Sequence, residues 1–289
     1  MKEAKKVLVA GASGYLGRHL TQTLIEKGYD THVIVRDKRK MNIEAPNLTI
    51  FEAEVTQPET LDKLFNGIDV VISAVGITRQ KDGVTYMDVD YQANANLIDA
   101  AKKNGVKKFM YVSVLNGDKL RHLKICEAKE KLVDYLKSSG LDYCVIRPNG
   151  FFSDMGDFLK MAKKGSVYLF RDGTLQLNPI HGKDLATEII HLIDQDRKEL
   201  NIGGPDLLTQ NEIAELALNA FDKPKKIIHL PDWIRRFTLW SVRTFTRSKT
   251  YGPIEFFLTT MVMNMEAPQF GHEKLKDFFQ AEARRMKNE

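Results

Sequence analysis

Near the amino terminus the chain reads Gly11-Ala12-Ser13-Gly14-Tyr15-Leu16-Gly17, a G-x-x-G-x-x-G spacing. Glycines so placed let the backbone turn tightly and approach a pyrophosphate. The helix that follows offers unpaired N–H groups and the positive end of its dipole. The chemistry is dinucleotide binding. About twenty residues on, where an acidic side chain would bond the adenosine ribose 2′-hydroxyl, stands Val35-Arg36-Asp37-Lys38-Arg39. A guanidinium at Arg36 would hold a 2′-phosphate in a forked, charge-assisted contact, which favours NADP(H). Asp37, one residue further, keeps NAD(H) open. Lys38, Arg39 and Lys40 read as a solvated loop.

Such a loop works only between a first strand and a first helix. Lys6 to Ala10 is a short apolar run that stops at glycine, and Tyr15 to Lys27 carries apolar residues at helical spacing until Gly28. Thr31 to Val35, Leu48 to Val55, Glu59 to Phe65, Val70 to Val75, Tyr91 to Lys103, Lys108 to Val114, Ala128 to Leu136 and Tyr143 to Ile146 continue the alternation of strand and helix. That rhythm, with Val70-Val71-Ile72 and Phe109-Met110-Tyr111-Val112 apolar throughout, predicts an α/β fold: a Rossmann-type doubly wound parallel sheet buried on both faces. After Arg147-Pro148-Asn149-Gly150 come shorter pieces: Val167 to Phe170, Leu175 to Ile180, a helix over Lys183 to Ile193, a Gly203-Gly204-Pro205 turn and a helix near Gln210 to Phe221. The expected organisation is an NAD(P)-binding domain over 1–150 and a smaller substrate or lid lobe over 151–289, packed on it, with the ligand site in the cleft between.

Composition narrows the class. Of 289 residues 43% are hydrophobic and 28% charged, which excludes a disordered or low-complexity chain. No apolar run is long enough to span a bilayer, and Met1 to Lys6 lead straight into a strand without a signal-peptide core. Two cysteines, Cys126 and Cys144, fit a reducing compartment, so a cytoplasmic protein is expected. The net charge of +5 is spread along the chain, which argues against a nucleic-acid partner. No His and carboxylate spacing points to a metal, and monomer and dimer both stay open.

Together these residues resemble the short-chain dehydrogenase/reductase superfamily, in its atypical NmrA-like, NAD(P)H-binding branch. The resemblance covers nearly the first 220 residues: the glycine loop, Val33 to Asp37, Ala53-Glu54-Val55-Thr56, Ser73-Ala74-Val75-Gly76, Tyr111-Val112-Ser113, Glu127-Ala128-Lys129 and Ser139 to Pro148. Asn178-Pro179-Ile180-His181, Asp184-Leu185-Ala186 and Asn201 to Pro205 resemble that branch's second-lobe signatures. The resemblance implies that Glu54 and Val55 flank the adenine and that Ala74, Val75 and Gly76 run under its ribose. It also implies that Pro148 to Phe151 approach the nicotinamide end and that Lys129 bonds the nicotinamide ribose or serves as the acid. Active members carry a Tyr four residues before that Lys, which passes a proton while the nicotinamide passes a hydride. Here that place holds Ile125. His122, Ile125, Cys126 and Lys129 share one face of a helix by spacing, so His122 is a candidate replacement acid, its alternative an exposed surface histidine. Ser113 matches the superfamily's substrate-polarising hydroxyl, its alternative a capping hydroxyl. His181 reads as a buried, hydrogen-bonded histidine locking the lobes.

The segment from Asp232 to Arg247 sets Trp233, Ile234, Phe237, Trp240 and Phe245 against Arg235, Arg236, Arg243 and Arg247, and Ile254 to Met265 follows with Phe256, Phe257, Met261 and Met263. Three readings stand: a lid over an apolar pocket, a peripheral membrane contact through 232–265, or helices covering the second lobe's core. The expected function is an NADP(H)-dependent reductase passing hydride to a small apolar, conjugated or quinone-like acceptor. The alternative is a non-catalytic NADP(H)-binding redox sensor or complex-assembly factor with a protein partner. The layout also resembles the divinyl-chlorophyllide reductases.

Overall fold

The computed structural model describes residues 4–61, 63–78 and 83–288. The reading of the first three residues therefore lies outside it, as does position 62 of the helix expected over Glu59 to Phe65. The chain divides into two compact units, the first made of 1–147 and 185–200, the second of 148–184 and 201–289. The return at 185–200 falls in the stretch that the sequence reading gave wholly to the second lobe.

In the first unit, runs of β-branched and aromatic residues form the strands and apolar residues at helical spacing form the helices. In chain order these are β1 (Lys6–Ala10), α1 (Tyr15–Glu26), β2 (Asp30–Val35), β3 (Leu48–Glu52) and β4 (Val70–Ser73). They continue with α2 (Asn94–Lys103), β5 (Lys108–Val112), α3 (Lys124–Ser138) and β6 (Asp142–Pro148). Further on come α4 (Gly156–Lys163), β7 (Val167–Phe170), β8 (Gln176–Leu177), α5 (Gly182–His191), β9 (Glu199–Ile202) and β10 (Leu208–Thr209). The last elements are α6 (Gln210–Ala220), β11 (Ile227–Leu230), α7 (Asp232–Phe245), α8 (Ser248–Thr260) and α9 (Leu275–Asn288).

Seven strands lie in the order β3-β2-β1-β4-β5-β6-β9. Ala10 pairs with Ile34 on one side and Ser73 on the other, all in parallel register, so β1, β2 and β4 end level and their exit loops emerge together. Between β1 and β4 the strand order reverses, and the crevice beyond the carboxyl ends there is where open parallel sheets bind ligands. The core beneath holds Leu8, Phe65, Val71, Leu97, Phe109, Leu132 and Val145, none more than marginally exposed. The helix expected over Glu59 to Phe65 is instead one 3₁₀ turn, Pro58–Thr60. Pro58 starts it, Gly67 at φ +70° closes the segment, and so short a piece cannot propagate an α-helix. Leu61 and Phe65 are nonetheless buried.

Within the second unit β7 pairs in parallel with β11 and β8 antiparallel with β10. Phe152, Leu159, Leu169, Ile213, Leu218 and Phe279 form its core. Asn178 explains the signature residues of this unit. Its Oδ1 accepts from Asn149 Nδ2 at 2.8 Å and from Ala267 N at 3.0 Å, while its Nδ2 donates to Ala267 O at 2.8 Å. A Cβ on Gly203 would collide with this amide, and one on Gly204 with the Pro179 carbonyl.

Candidate dinucleotide-binding site

Gly11 leaves β1 at φ +82°, a backbone that glycine adopts without strain, and a Cβ there would come within 2.9 Å of the Ala74 carbonyl. The exits of β1 and β4 therefore touch. Gly17 sits in the first turn of α1, and a Cβ on it would collide with the Gly11 carbonyl oxygen. Gly14 N donates to Gly11 O at 3.0 Å, which closes the turn. Gly14 is the N-cap of α1, has no side-chain cap, and no acidic residue stands in the first turn. By contrast α6 opens with a capping box between Thr209 and Glu212. The N-terminus of α1 is thus left without a capping side chain or a first-turn acid, which fits a pyrophosphate at its positive dipole end. Ala12, Leu16 and Gly17 are buried, while Ser13 and Tyr15 are partly exposed.

One residue beyond β2, Arg36 is exposed. Among the described residues it makes no side-chain hydrogen bond or ion pair. Asp37 is committed: Oδ1 accepts from the Arg39 backbone N at 3.0 Å and from its Nε at 2.9 Å, and Oδ2 from Nη2 at 3.1 Å. The Arg39 guanidinium holds this carboxyl below the usual carboxylate range. Arg18, which sequence reasoning passed over, donates from Nε to Ser13 O at 3.1 Å and from Nη2 to Lys40 O at 2.9 Å. It ties the glycine loop to the segment after β2 and adds a cation beside it.

At the exit of β4, Ala74 N donates to Ala10 O at 3.0 Å and Gly76 is exposed. A Cβ on Gly76 would lie 2.7 Å from Asp90 Oδ1 and 3.0 Å from Lys129 Nζ. Lys129 Nζ stands 2.9 Å from that Oδ1, with side-chain exposures of 12% for the lysine and 0% for the aspartate. Asp90 rides on a stretch of π-helix, Met87–Ala93, a distortion frequent at functional sites. It also accepts from Ile77 N at 3.3 Å, and Asn94 donates to the Val75, Val89 and Asp90 carbonyls. Tyr111, fully buried on β5, lies below, its ring centroid 5.6 Å from Lys129 Nζ. Asp90 Oδ1 and Tyr111 Oη have no aligned hydrogen bond among the described residues, and Lys129 Nζ is the polar group next to both. Burial opposes the Lys129 charge, but the Asp90 carboxylate more than reverses this and raises the lysine above its ordinary value. Burial likewise pushes Asp90 up, against the pull of Lys129, and Tyr111 well up. Asp90, Asn94 and Tyr111 were not singled out from sequence. The available signal was two polar residues, four apart, at helical spacing with the apolar Ala93, Leu97 and Ile98.

The other candidates fall as follows. The Ser113 hydroxyl donates to Glu130 Oε1 at 2.9 Å, and Glu130 is gripped by Arg147 through Nη1 at 2.5 Å and Nη2 at 2.8 Å. Its hydroxyl is committed to a buried ion pair rather than to a helix cap. The shared helix face expected for His122 is corrected: α3 begins at Lys124 after an extended Leu123, so exposed His122 precedes the helix, while Ile125 and Cys126 are buried on it. Burial pushes Cys126 up to about 12 and Cys144 to about 11, leaving both as inert thiols. Val55 is buried, its carbonyl accepting from Asn96 Nδ2 at 3.1 Å, and Glu54 is half-buried. Val75 is buried with its N bonded to Ser73 Oγ at 3.3 Å. Pro148 and Phe151 belong to the second unit, where Phe151 bridges Ile180. His181 accepts from Lys183 N at 3.3 Å and packs between Phe152 and Phe278, all within that unit.

The chain is similar to known proteins. The Photosystem II assembly factor Ycf39 of Synechocystis is 28% identical over 248 residues, covering 84% of this chain and 74% of the relative. The chloroplastic divinyl chlorophyllide a 8-vinyl-reductase of Arabidopsis thaliana is 27% identical over 316 residues, covering 94% and 75%. The solved structure of AtPrR2 with NADP+ and (+)pinoresinol superposes with a TM-score of 0.76 at 16% identity, covering 97% of this chain and 99% of that one, a likeness of fold. The family described as NAD(P)H-binding matches residues 11–196, a stretch that contains the glycine loop, Arg36, Asp90, Tyr111 and Lys129. On that match and this geometry, the chain belongs to the NAD(P)H-binding family.

Proposed function

We propose that the protein is an NADPH-dependent reductase that passes hydride to an apolar, conjugated or quinone-like acceptor. The observation that carries this reading is the Lys129–Asp90 pair, buried yet opening at exposed Gly76 beside the glycine loop. A buried charge pair is a poor device for stability alone, and here it stands at the strand-order reversal where cofactors bind. The first-turn N–H groups of α1 would hold the pyrophosphate. Arg36, with Arg18 beside the loop, would hold the 2′-phosphate, and the pairing of Asp37 with Arg39 favours NADP(H) over NAD(H). Glu54 and Val55 would flank the adenine, and Ala74 to Gly76 would run beneath its ribose. When bound, the nicotinamide supplies the hydride. Lys129 Nζ, kept protonated by Asp90, would bond the nicotinamide ribose and donate the proton. A conjugated double bond or a quinone, which water can also protonate, suits a site that lacks the usual Tyr. The name of the Arabidopsis relative, a vinyl reductase, supports this class of acceptor.

A second reading, an NADP(H)-binding assembly factor or redox sensor without turnover, is favoured by Ile125, 6% exposed where the phenol would stand. The name of the Synechocystis relative also fits it. Titration with NADPH and NADH, read by nicotinamide fluorescence in wild type and Arg36→Ala, tests the cofactor reading. The expected result is NADPH at least tenfold tighter, with the variant losing about 1.4 kcal/mol or more of that preference. If neither nucleotide binds, the reductase reading fails. With binding in hand, steady NADPH consumption on a panel of enones and quinones supports the reductase, and its absence on the whole panel supports the second reading.

A further inference from the structure

Helices α1, α2, α3, α4, α6 and α9 each bury part of one face, whereas α7 buries none of its 14 residues. Its outer side is aromatic. Trp233 is 65% exposed, Phe237 58%, Trp240 56% and Phe245 75%. At about 100° per residue the first three fall within about 60° of one another, and the rings touch in sequence. Phe237 and Trp240 have centroids 5.7 Å apart, and Trp240 and Phe245 5.9 Å. Exposed apolar side chains are ordinarily scattered singly, and a contiguous ridge marks an interaction face.

The flank of the ridge is basic. Arg236 and Arg243, two turns apart, are exposed along one edge, and Arg247, just past the end of the helix, is exposed as well. Arg243 is bonded to Glu255, itself buried, but Arg236 and Arg247 make no ion pair among the described residues. The only acid of the helix, Asp232, is taken by Arg235 on the inner side, Nε to Oδ1 at 2.6 Å. Neither indole N–H has a partner among the described residues. The geometry points to an anionic lipid surface as the occupant: rings at headgroup depth, indole N–H groups solvated there, arginines on lipid phosphates. A second copy fits poorly, because a two-fold contact sets the same arginines against each other. At 14 residues the helix lies on a bilayer and does not span it.

The chain has two tryptophans, and both are on this ridge, so tryptophan emission, excited selectively, reads this face. The full-length protein is mixed with vesicles of phosphatidylcholine, or of phosphatidylcholine with phosphatidylglycerol, and followed by emission and co-sedimentation. The expected result is a blue shift and pelleting with the anionic vesicles, weakened by salt. Phe237→Ser with Trp240→Ser should reduce partitioning about tenfold or more, and Arg236→Gln with Arg247→Gln should erase the preference for anionic lipid. NADPH affinity, measured in parallel, should be unchanged in both pairs. Equal binding to neutral and anionic vesicles, or binding to neither, overturns the proposal. A blue shift that grows with protein concentration without lipid, matched by a dimer lost in the Phe237→Ser/Trp240→Ser variant, overturns it in favour of a second copy. Protein that ignores vesicles but captures a partner through the ridge overturns it in favour of a protein groove.

Discussion

Replacing Asp90 by Asn tests the cluster at its centre. The amide keeps the size of the carboxylate and removes its charge, 2.9 Å from Lys129 Nζ. At an effective dielectric near 20 the lost attraction is about 6 kcal/mol. Relaxation and water entry past Gly76 return part of it, so the net destabilisation expected is about 3–5 kcal/mol. Asp90→Asn/Lys129→Met, which removes both charges, should recover most of that loss, and the double-mutant cycle should give a coupling of several kcal/mol.

The pH dependence supplies an independent sign. In the wild type the lysine is raised above its unfolded value. Its contribution is fully present below about pH 10.4 and is lost as pH rises through the folded value. In Asp90→Asn the Asp90 attraction is gone, and burial, the largest influence on Lys129, is opposed by Tyr111 alone. Its folded value then falls below the unfolded one, the native state binds fewer protons, and stability rises with pH until the unfolded lysine also deprotonates. Between pH 7 and pH 10 this group should therefore leave the wild type flat, while Asp90→Asn gains stability as pH rises. Circular dichroism is the readout, because both tryptophans lie on α7 in the second unit and are blind to this one. A loss under about 1 kcal/mol, or parallel slopes, would refute the buried ion pair and with it the assignment of Lys129 as a charged cofactor ligand.

Four further outcomes are expected. Glu130→Gln should destabilise by about 3 kcal/mol, because Arg147, 6% exposed, loses its nearer counter-charge and keeps only Glu199 at 3.6 Å; Ser113→Ala should cost about 1 kcal/mol and leave turnover within a few-fold, whereas a hundredfold fall in kcat would restore Ser113 as a catalytic hydroxyl. Gly17→Ala should abolish nucleotide binding, since its Cβ collides with the Gly11 carbonyl oxygen; calorimetry that finds wild-type affinity would show the loop to be uninvolved. Burial between aromatic rings lowers the pKa of His181, so the second unit should be fully stable above about pH 6.5 and weaken as pH falls below it. Tryptophan-detected urea midpoints from pH 7.5 to 5.5 should show that slope in the wild type and not in His181→Phe.

The parts of this site that could be read from sequence are those whose meaning is local. The glycine spacing, Arg36 at the end of β2 and the alternation of strands and helices are patterns within a few residues of themselves, and backbone geometry fixes their consequence. The placing of Asp90 under Gly76 is a tertiary fact. Its local sign, an acid and Asn94 one turn apart on a buried face, tells that something polar lies within reach but not what. His122 failed for a related reason: helical spacing was extended one turn past the start of α3, and Leu123 at φ −86° and ψ 133° turns the chain away before it. The ridge on α7 was legible as a pattern of residue types. Whether a core covers it is decided by packing, and none of its residues is buried.

Consecutive residues of α3 make the case for where function resides. Lys129 and Glu130 both enter buried ion pairs, one with Asp90, the other with Arg147. The second is closed: Arg147 holds both carboxylate oxygens, the Ser113 hydroxyl donates to one of them, and the side-chain exposures are 6% and 1%. With its capacity spent inside the fold, it has nothing to offer a ligand and serves to fix α3 on β5 and β6. The first is open: Asp90 Oδ1 lacks an aligned hydrogen bond among the described residues, Lys129 retains some exposure, and Gly76, which stands over them, has no side chain. Filling that gap with a methyl group in Gly76→Ala should leave the glycine loop intact yet weaken NADPH binding, because the new Cβ would crowd Asp90 and Lys129 at 2.7 and 3.0 Å. Unchanged NADPH affinity in that variant would mean that the opening at Gly76 is not used.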